Sequence, residues 1–338
     1  MKFVNKVQFC SLAAMVATAV CSVSTPGFAD WAPEKDVEFV ATSKPGGGTD
    51  RFTRAIHSAI KNNNLVKKDI RVVYQGAANG TQGLVYIDQN AGNPHKLAFA
   101  TSQVWMLPLT SKLGYDRKDL TPLAAMAFDE FIIWVNADRP YDTVAEFLEA
   151  ARKNPKGIKV GGGKSKDADH VFTKLIEARA GVQFTYVPYK GGAEAAVQLA
   201  GGHVDANTNN PAENLAQWQA GKVVPLCVAS PTRMANTGVV AQGKSWADIP
   251  TCIESGLDIK SFRFPRTVFM PGGLKDGQLS FWQDVMQQVV ETEEWKAYVS
   301  KSGLTSALKV GNEFNAFIED SEGVGKQIFK RAGWLKNN

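Results

Sequence analysis

Apolar positions along the chain follow two spacings. Short β-branched runs end in glycine or small polar residues, and stretches with apolar residues three and four apart come after them. Val37 to Ala41 is the first such run. Pro45, three glycines and Thr49-Asp50 follow it, and Phe52, Ala55 and Ile56 then mark one face of a helix. Ile70 to Tyr74, a loop from Gln75 to Gly83 and a helix from Leu84 to Gln89 repeat the design. The strand Lys96 to Ala100 runs into Thr101-Ser102-Gln103, and Leu113 to Leu123 has the weak periodicity of a connection. Phe131 to Val135 is continuously apolar, as expected of a strand covered on both faces.

A second series begins where Thr143 caps a helix bearing Val144, Phe147, Leu148 and Ala151 on one face. Ile158 to Val160, the glycine turn Gly161 to Ser165 and a helix from His170 to Ala180 closed by Gly181 restate the opening unit. Phe184 to Val187, Tyr189 to Gly192 and Glu194 to Ala200 form another, and Val204 to Asn207 and Val223 to Ala229 supply further strands. After the irregular stretch Asn236 to Gly256, Thr267 to Met270 is strand-like. Helices are predicted over Leu279 to Glu291, Glu293 to Lys301 and Glu313 to Phe329. This pattern predicts an α/β protein of two Rossmann-like lobes with a ligand cleft between them. The first lobe is expected to comprise residues 30–131 and 255–338 and the second 132–254, with Phe131 to Val135 and Thr267 to Met270 crossing from one to the other.

The ends of the chain add an address. Lys2 and Lys6 precede a charge-free apolar run from Leu12 to Val20, and Pro26, Gly27 and Ala29 follow it, which is the layout of a secretory signal cut after Ala29. Loss of both lysines lowers the formal net charge of +5 by two, and no basic run remains, so nucleic acid is excluded as a partner. Export leaves Cys227 and Cys252, either paired in an oxidising compartment or present as two buried thiols.

Motifs for covalent chemistry are missing. Gly161 to Ser165 carries the GKS of a phosphate loop, but the first glycine of that signature would have to stand at Ile158. No GxGxxG, GxSxG or HExxH occurs, and the four histidines lack metal-ligand spacing, so neither a cofactor, a metal nor catalysis is expected. The glycine corners are suited instead to an anion, because glycine lets a ligand approach the backbone and a helix start presents unpaired N–H groups. Packing alone would also account for glycines at a βα turn. Candidate contacts are Gly47, Gly48, Thr49, Asp50, Thr101, Ser102, Gly163, Lys164, Ser165, Lys190, Gly191, Gly192 and Asn209. Arg263 and Arg266 are placed to grip a second acid group through a bidentate fork. At close range the carboxylates of Asp50 and Asp205 would repel an anion, so their side chains are expected to support the loop and the cap.

Three segments carry a family resemblance: PGGGTDRFTR at Pro45 to Arg54, YKGGAEAAVQLAGGHVD at Tyr189 to Asp205, and DIPTCIESG at Asp248 to Gly256. On these the mature chain resembles the periplasmic receptors of tripartite tricarboxylate transporters, the Bug family. The resemblance implies a two-lobed periplasmic binding protein that closes on a small organic acid, whether a di-, tri- or aromatic carboxylate, a nicotinate-like acid or an amino acid. It also implies delivery to membrane permease subunits. Gly47 to Asp50, Ser102, Gly163 to Ser165 and Lys190 to Gly192 fall on the family's loop positions. Phe264-Pro265-Arg266 departs from the usual aromatic and small residue, and Arg266 there suits a second acid group. A ligand-sensing receptor domain and an exported enzyme acting on a carboxylate are the competing readings.

Overall fold

The computed structural model describes Met1 and residues 31–336, so the expected signal segment lies outside the described residues. The order begins β1 (Val37–Ala41), α1 (Gly48–Asn62), β2 (Ile70–Tyr74), α2 (Thr81–Asp88), β3 (Lys96–Ala100), α3 (Gln103–Thr110) and β4 (Leu120–Glu130). Next come β5 (Ile132–Asn136), α4 (Val144–Lys153), β6 (Lys159–Gly162), α5 (Ala168–Ala180), β7 (Thr185–Pro188), α6 (Gly192–Ala200), β8 (Ala206–Asn209), α7 (Pro211–Gln219) and β9 (Val223–Val228). A small hairpin of β10 (Val239–Ala241) and β11 (Lys244–Ser245) precedes β12 (Arg263–Pro271), α8 (Asp276–Glu291), α9 (Glu293–Ser302), β13 (Thr305–Val310) and α10 (Gly311–Arg331).

Two sheets result. One has the order β13-β4-β12-β3-β1-β2 and the other β7-β6-β8-β5-β9. Within the first, β1, β2 and β3 run parallel, as do β6, β7 and β8 in the second. Helical crossovers join the parallel strands and cover both faces. That explains the continuous apolar run near Phe131. Ile133 and Val135 enter one core with Phe147 and Phe172, while Ile132 and Trp134 enter another with Trp218 and Trp246.

The expected crossing strands are corrected. Ile132 to Val135 pair with β8 and β9 inside the five-stranded sheet, and Thr267 to Met270 pair with β4 inside the six-stranded one. The chain passes between sheets at Phe131, between β4 and β5, and again at Phe262, whose N–H donates to Ala229 O before Arg263 pairs with Glu130. A third link is α10, which packs along β4 and α3 and sends Ile328 and Phe329 into the core of the second sheet. Helices α3 and α7 and strand β13 were not read from the sequence.

Glu130 marks the first passage. It is fully buried, accepts a hydrogen bond from Thr305 Oγ1 at 2.8 Å, and leaves Oε2 unpartnered. Burial raises its carboxyl to about 7 against the opposing pull of Arg263. A carboxyl raised from 4.5 binds its proton more tightly folded than unfolded, so it stabilises the fold below about pH 4.5 and that stability is lost as pH rises through 7. Urea denaturation should therefore show stability falling by about 2–3 kcal/mol over that window, and Glu130→Gln should flatten the fall.

Cys227 and Cys252 are disulfide-bonded, with Cα atoms 5.0 Å apart and a sequence separation of 25. The bond ties β9 to the segment that follows the small hairpin. Replacing both by serine should cost about 3 kcal/mol in chemical denaturation, and reductant should then have no further effect.

Candidate functional site

The carboxyl ends of β1, β2 and β3 are laced together. Thr42 Oγ1 donates to Phe99 O at 2.8 Å and accepts from Gln103 Nε2 at 3.0 Å, while buried Thr101 donates to Gln103 Oε1 at 3.3 Å. Gly76 lies so close that a Cβ on it would stand 2.4 Å from Ser43 C, so the second loop presses directly on the first. Ser102 opens α3, where its carbonyl accepts from Trp105 and Met106.

Around the first glycine corner, Gly46 takes φ +82°, as glycine readily does, and its N–H donates to Asp50 Oδ2 at 2.7 Å. Asp50 Oδ1 accepts from Arg54 Nε and Tyr74 OH, both at 2.9 Å. Burial alone would raise this carboxyl, but those three donors hold it below its ordinary value. Asp50 thus braces the loop through its carboxylate. The N–H groups of Gly48, Thr49 and Asp50 have no acceptor among the hydrogen bonds of the described residues. They form the positive end of a 15-residue helix.

Arg266 joins this corner from β12. Its side chain is buried, pairs with Asp129 Oδ2 at 2.5 Å, and lies so near Gly48 that a Cβ there would meet Nη2 at 2.9 Å and Nη1 at 3.0 Å. Arg266 Nε and Asp129 Oδ1 remain unpartnered. Arg263 does not join it, because its guanidinium stacks on Phe128 at 4.1 Å.

The second lobe differs from expectation. Gly163 N–H is already taken by Asp169 Oδ2 at 2.6 Å, and Lys190 N–H by Glu194 Oε2 at 3.0 Å. Lys164, Ser165 and Lys190 are exposed at the loop tips. Behind the Gly163 loop, Tyr186 OH donates to Gly163 O at 2.8 Å, and His170 stacks on the Tyr186 ring with centroids 3.9 Å apart. Burial pushes the His170 imidazole down to about 4, so it stays neutral and accepts the Lys166 N–H at 3.1 Å. At the third corner Gly191 is open, whereas a Cβ on Gly192 would stand 2.1 Å from Glu213 Oε2 and 2.2 Å from Asn209 Oδ1. Asn209 is fully buried, donates to Gly192 O at 2.8 Å, and keeps Oδ1 unpartnered.

Asp129, Asp169 and Glu213 were missed by the sequence reading. Burial, then the neighbouring Asp167 and Glu213, push Asp169 well above the ordinary carboxyl range. Burial, then Asp129, raise Glu213 to about 7. Asp129 influences both, which places the first lobe's carboxyl within electrostatic reach of the second lobe's. Hollows of about 670 Å³ beside Trp31 and His95 and about 520 Å³ between α3 and α10 lie away from this meeting point. Neither gathers strand ends or buried unpartnered polar atoms, so the candidate site is the loop junction.

Two lobes whose parallel strand ends meet around buried charge define a solute-binding protein. The chain belongs to the tripartite tricarboxylate transporter receptor family, whose model matches residues 57–334. Protein BugT of Bordetella pertussis is 23% identical over 89% of this chain and 90% of its own length. A TctC solute-binding protein from Polaromonas, solved with no ligand, superposes with a TM-score of 0.76 at 26% identity, covering 88% of this chain and 99% of that one. The R. palustris protein Rpa4515, solved with adipate, superposes with a TM-score of 0.75 at 21% identity, covering 90% and 99%. Family and fold are those of substrate-binding receptors.

The glycine geometry ranks three substitutions. Gly192→Ala should destabilise most, by about 2–3 kcal/mol, and Gly48→Ala less because the Arg266 guanidinium can shift. Gly191→Ala should be near neutral, since its φ of 177° is ordinary extended backbone and nothing lies within 4 Å. Urea titration of the three variants checks the order.

Proposed function

We propose that the protein is a periplasmic receptor that captures a small organic carboxylate between its lobes and hands it to the permease of a tripartite transporter. The observation that carries this reading is the convergence at Gly48 of unpaired helix-start amides with the Arg266 guanidinium. A carboxylate there would accept charge-assisted hydrogen bonds from backbone and side chain together. Gly47, Gly48, Thr49, Thr101, Ser102 and Arg266 form the first jaw. Gly163 to Ser165, Lys190 to Gly192 and Asn209 form the second.

Closure is a hinge motion at Phe131 and Phe262. The lobes are taken as 30–131 with 255–338, and 132–254, with the end of α10 bridging them through Ile328 and Phe329. The adipate named with the structurally similar R. palustris protein supports a carboxylate ligand. Delivery to a permease is supported by the family's description. Location in the periplasm, with cleavage after Ala29, is supported by the Lys2 and Lys6 flank and the small residues before Asp30.

A thermal-shift screen of organic acids tests the binding. A true ligand at about 100 times its dissociation constant adds about 2.7 kcal/mol, visible as a rise in Tm. Gly48→Ala should weaken that ligand at least tenfold. Silence across di-, tri- and aromatic carboxylates would remove the reading.

A further inference from the structure

Away from the glycine loops, a groove of about 520 Å³ lies where α3 meets the second half of α10. Its shape follows from the sequence of α3. Pro108 has no N–H to give Val104 O one turn back, and the buried Tyr115 OH donates to that carbonyl instead at 3.0 Å. The bond holds the loop after α3 against the helix and brings Arg117 and Lys118 to the rim. Opposite them, buried Gly325 has no side chain, which lets α10 close on α3 at Met106. Past the end of α10 the chain turns back, and Lys336 N–H donates to Leu109 O at 3.0 Å, pairing a carbonyl that the last turn of α3 leaves open.

The lining is uneven in charge. Arg117, Lys118, Lys326, Lys330 and Lys336 stand against two acids, Asp116 and Glu322. Both acids are engaged, Glu322 by Arg117 at 3.1 Å and Lys326 at 2.7 Å, and Asp116 by the Lys118 N–H at 2.9 Å. The ammonium groups of Lys118, Lys330 and Lys336 have no acid partner among the described residues, and all three residues are exposed. Beneath them the floor is apolar. Pro108, Leu109 and Leu335 are half-buried, and Trp105 below gives its Nε1–H to Ser321 Oγ at 3.1 Å. The walls also belong to different lobes, since α3 opens at Ser102 in the first while Ile328 and Phe329 carry the end of α10 into the core of the second.

We infer that this groove is a docking site for an acidic segment of a partner protein, in which carboxylates meet Lys118, Lys330 and Lys336 and an apolar side chain between them rests on Leu109 and Leu335. The inference goes beyond the carboxylate reading and uses none of the glycine-loop residues. Such a segment answers both features of the face, supplying counter-charge to three ammoniums and covering a floor that a free ion would leave wet. A bilayer offers its charge on a plane, which meets the rim and leaves that floor uncovered.

Fluorescence anisotropy of the mature protein with a labelled peptide of Glu-Glu-Leu repeats tests this, against Gln-Gln-Leu and Glu-Glu-Ser repeats of equal length. The Glu-Glu-Leu peptide should bind at least tenfold more tightly than either control and weaken as salt rises. Lys118→Glu with Lys330→Glu should lower its affinity at least tenfold. Lys67→Glu with Lys68→Glu, the same charge change after α1, whose core lies on the other face of the sheet, should leave it within twofold. A photo-crosslinking copy of the peptide locates the site on the unaltered protein even where a variant fails to fold: adducts should fall on α3, on Arg117 and Lys118, or after Gly325. Equal binding of the three peptides, equal loss in the two variants, or adducts elsewhere overturns the inference. So does absence of peptide binding together with binding to phosphatidylglycerol vesicles, or with a monomer–dimer equilibrium in sedimentation, that Lys118→Glu with Lys330→Glu abolishes; these assign the groove to a membrane or to a second copy of the chain. Stabilisation by organic acids is read separately and stands whichever way the docking test falls.

Discussion

The structure depends on a repeated local constraint at the βα corners. A carboxylate near the start of a helix folds back and takes an amide of the loop before it. Asp50 does this to Gly46, Asp169 to Gly163 and Glu194 to Lys190. Each bond lies at the positive end of its helix, where a carboxylate is favoured, and each fixes the loop against the helix it enters. The consequence for function is subtractive. An amide so engaged is not available to a ligand, and what the site can bind is set by the donors and acceptors that remain.

Those remaining groups are held by a frame with few moving parts. Single residues, Phe131 and Phe262, carry the chain between sheets, and both rings pack at the edge of the same aromatic cluster as Phe172. Helix α10 crosses the junction on the outside, and Trp334 beyond it packs edge-on to His170 at 4.6 Å. His170 in turn backs the Gly163 loop. The end of the chain is therefore in mechanical contact with a site loop that lies far from it in sequence.

Much of this was legible beforehand. Ile70 to Tyr74 and Lys96 to Ala100 were bounded correctly because β-branched and aromatic residues ended abruptly at small polar ones. The Thr143 cap was equally plain, and it forms the capping box with Glu146. Helix α3 was hidden by Pro108 within it, and α7 by the polar Asn210-Pro211 start that also reads as a turn. The site was half visible. Glycine corners marked candidate positions for a ligand, but the corner sequences GGGTD and KGGAE also carry the acid that closes the amide, and that second message was not read for Glu194. Asp129-Glu130 inside the apolar run from Leu123 to Val135 was a further signal, since a buried strand tolerates a carboxyl only with a partner or a purpose. The identity of the partner, Arg266, depends on β4 lying beside β12, which no local pattern encodes.

That pair is the strongest structural reason to place function at the junction. Burying an arginine and an aspartate together is costly, and apolar residues of like shape would often serve stability as well or better. Here the cost is not fully offset, because Asp129 Oδ1 and Arg266 Nε are left without partners. The same strand carries Phe269 and Met270 deep in the first lobe's cores, so the fold could have filled position 266 with another apolar residue. A guanidinium kept instead at the open face of Gly48, where even a methyl group would crowd it, is an arrangement that stability does not explain, and it is the ground on which Arg266 is proposed as a ligand contact.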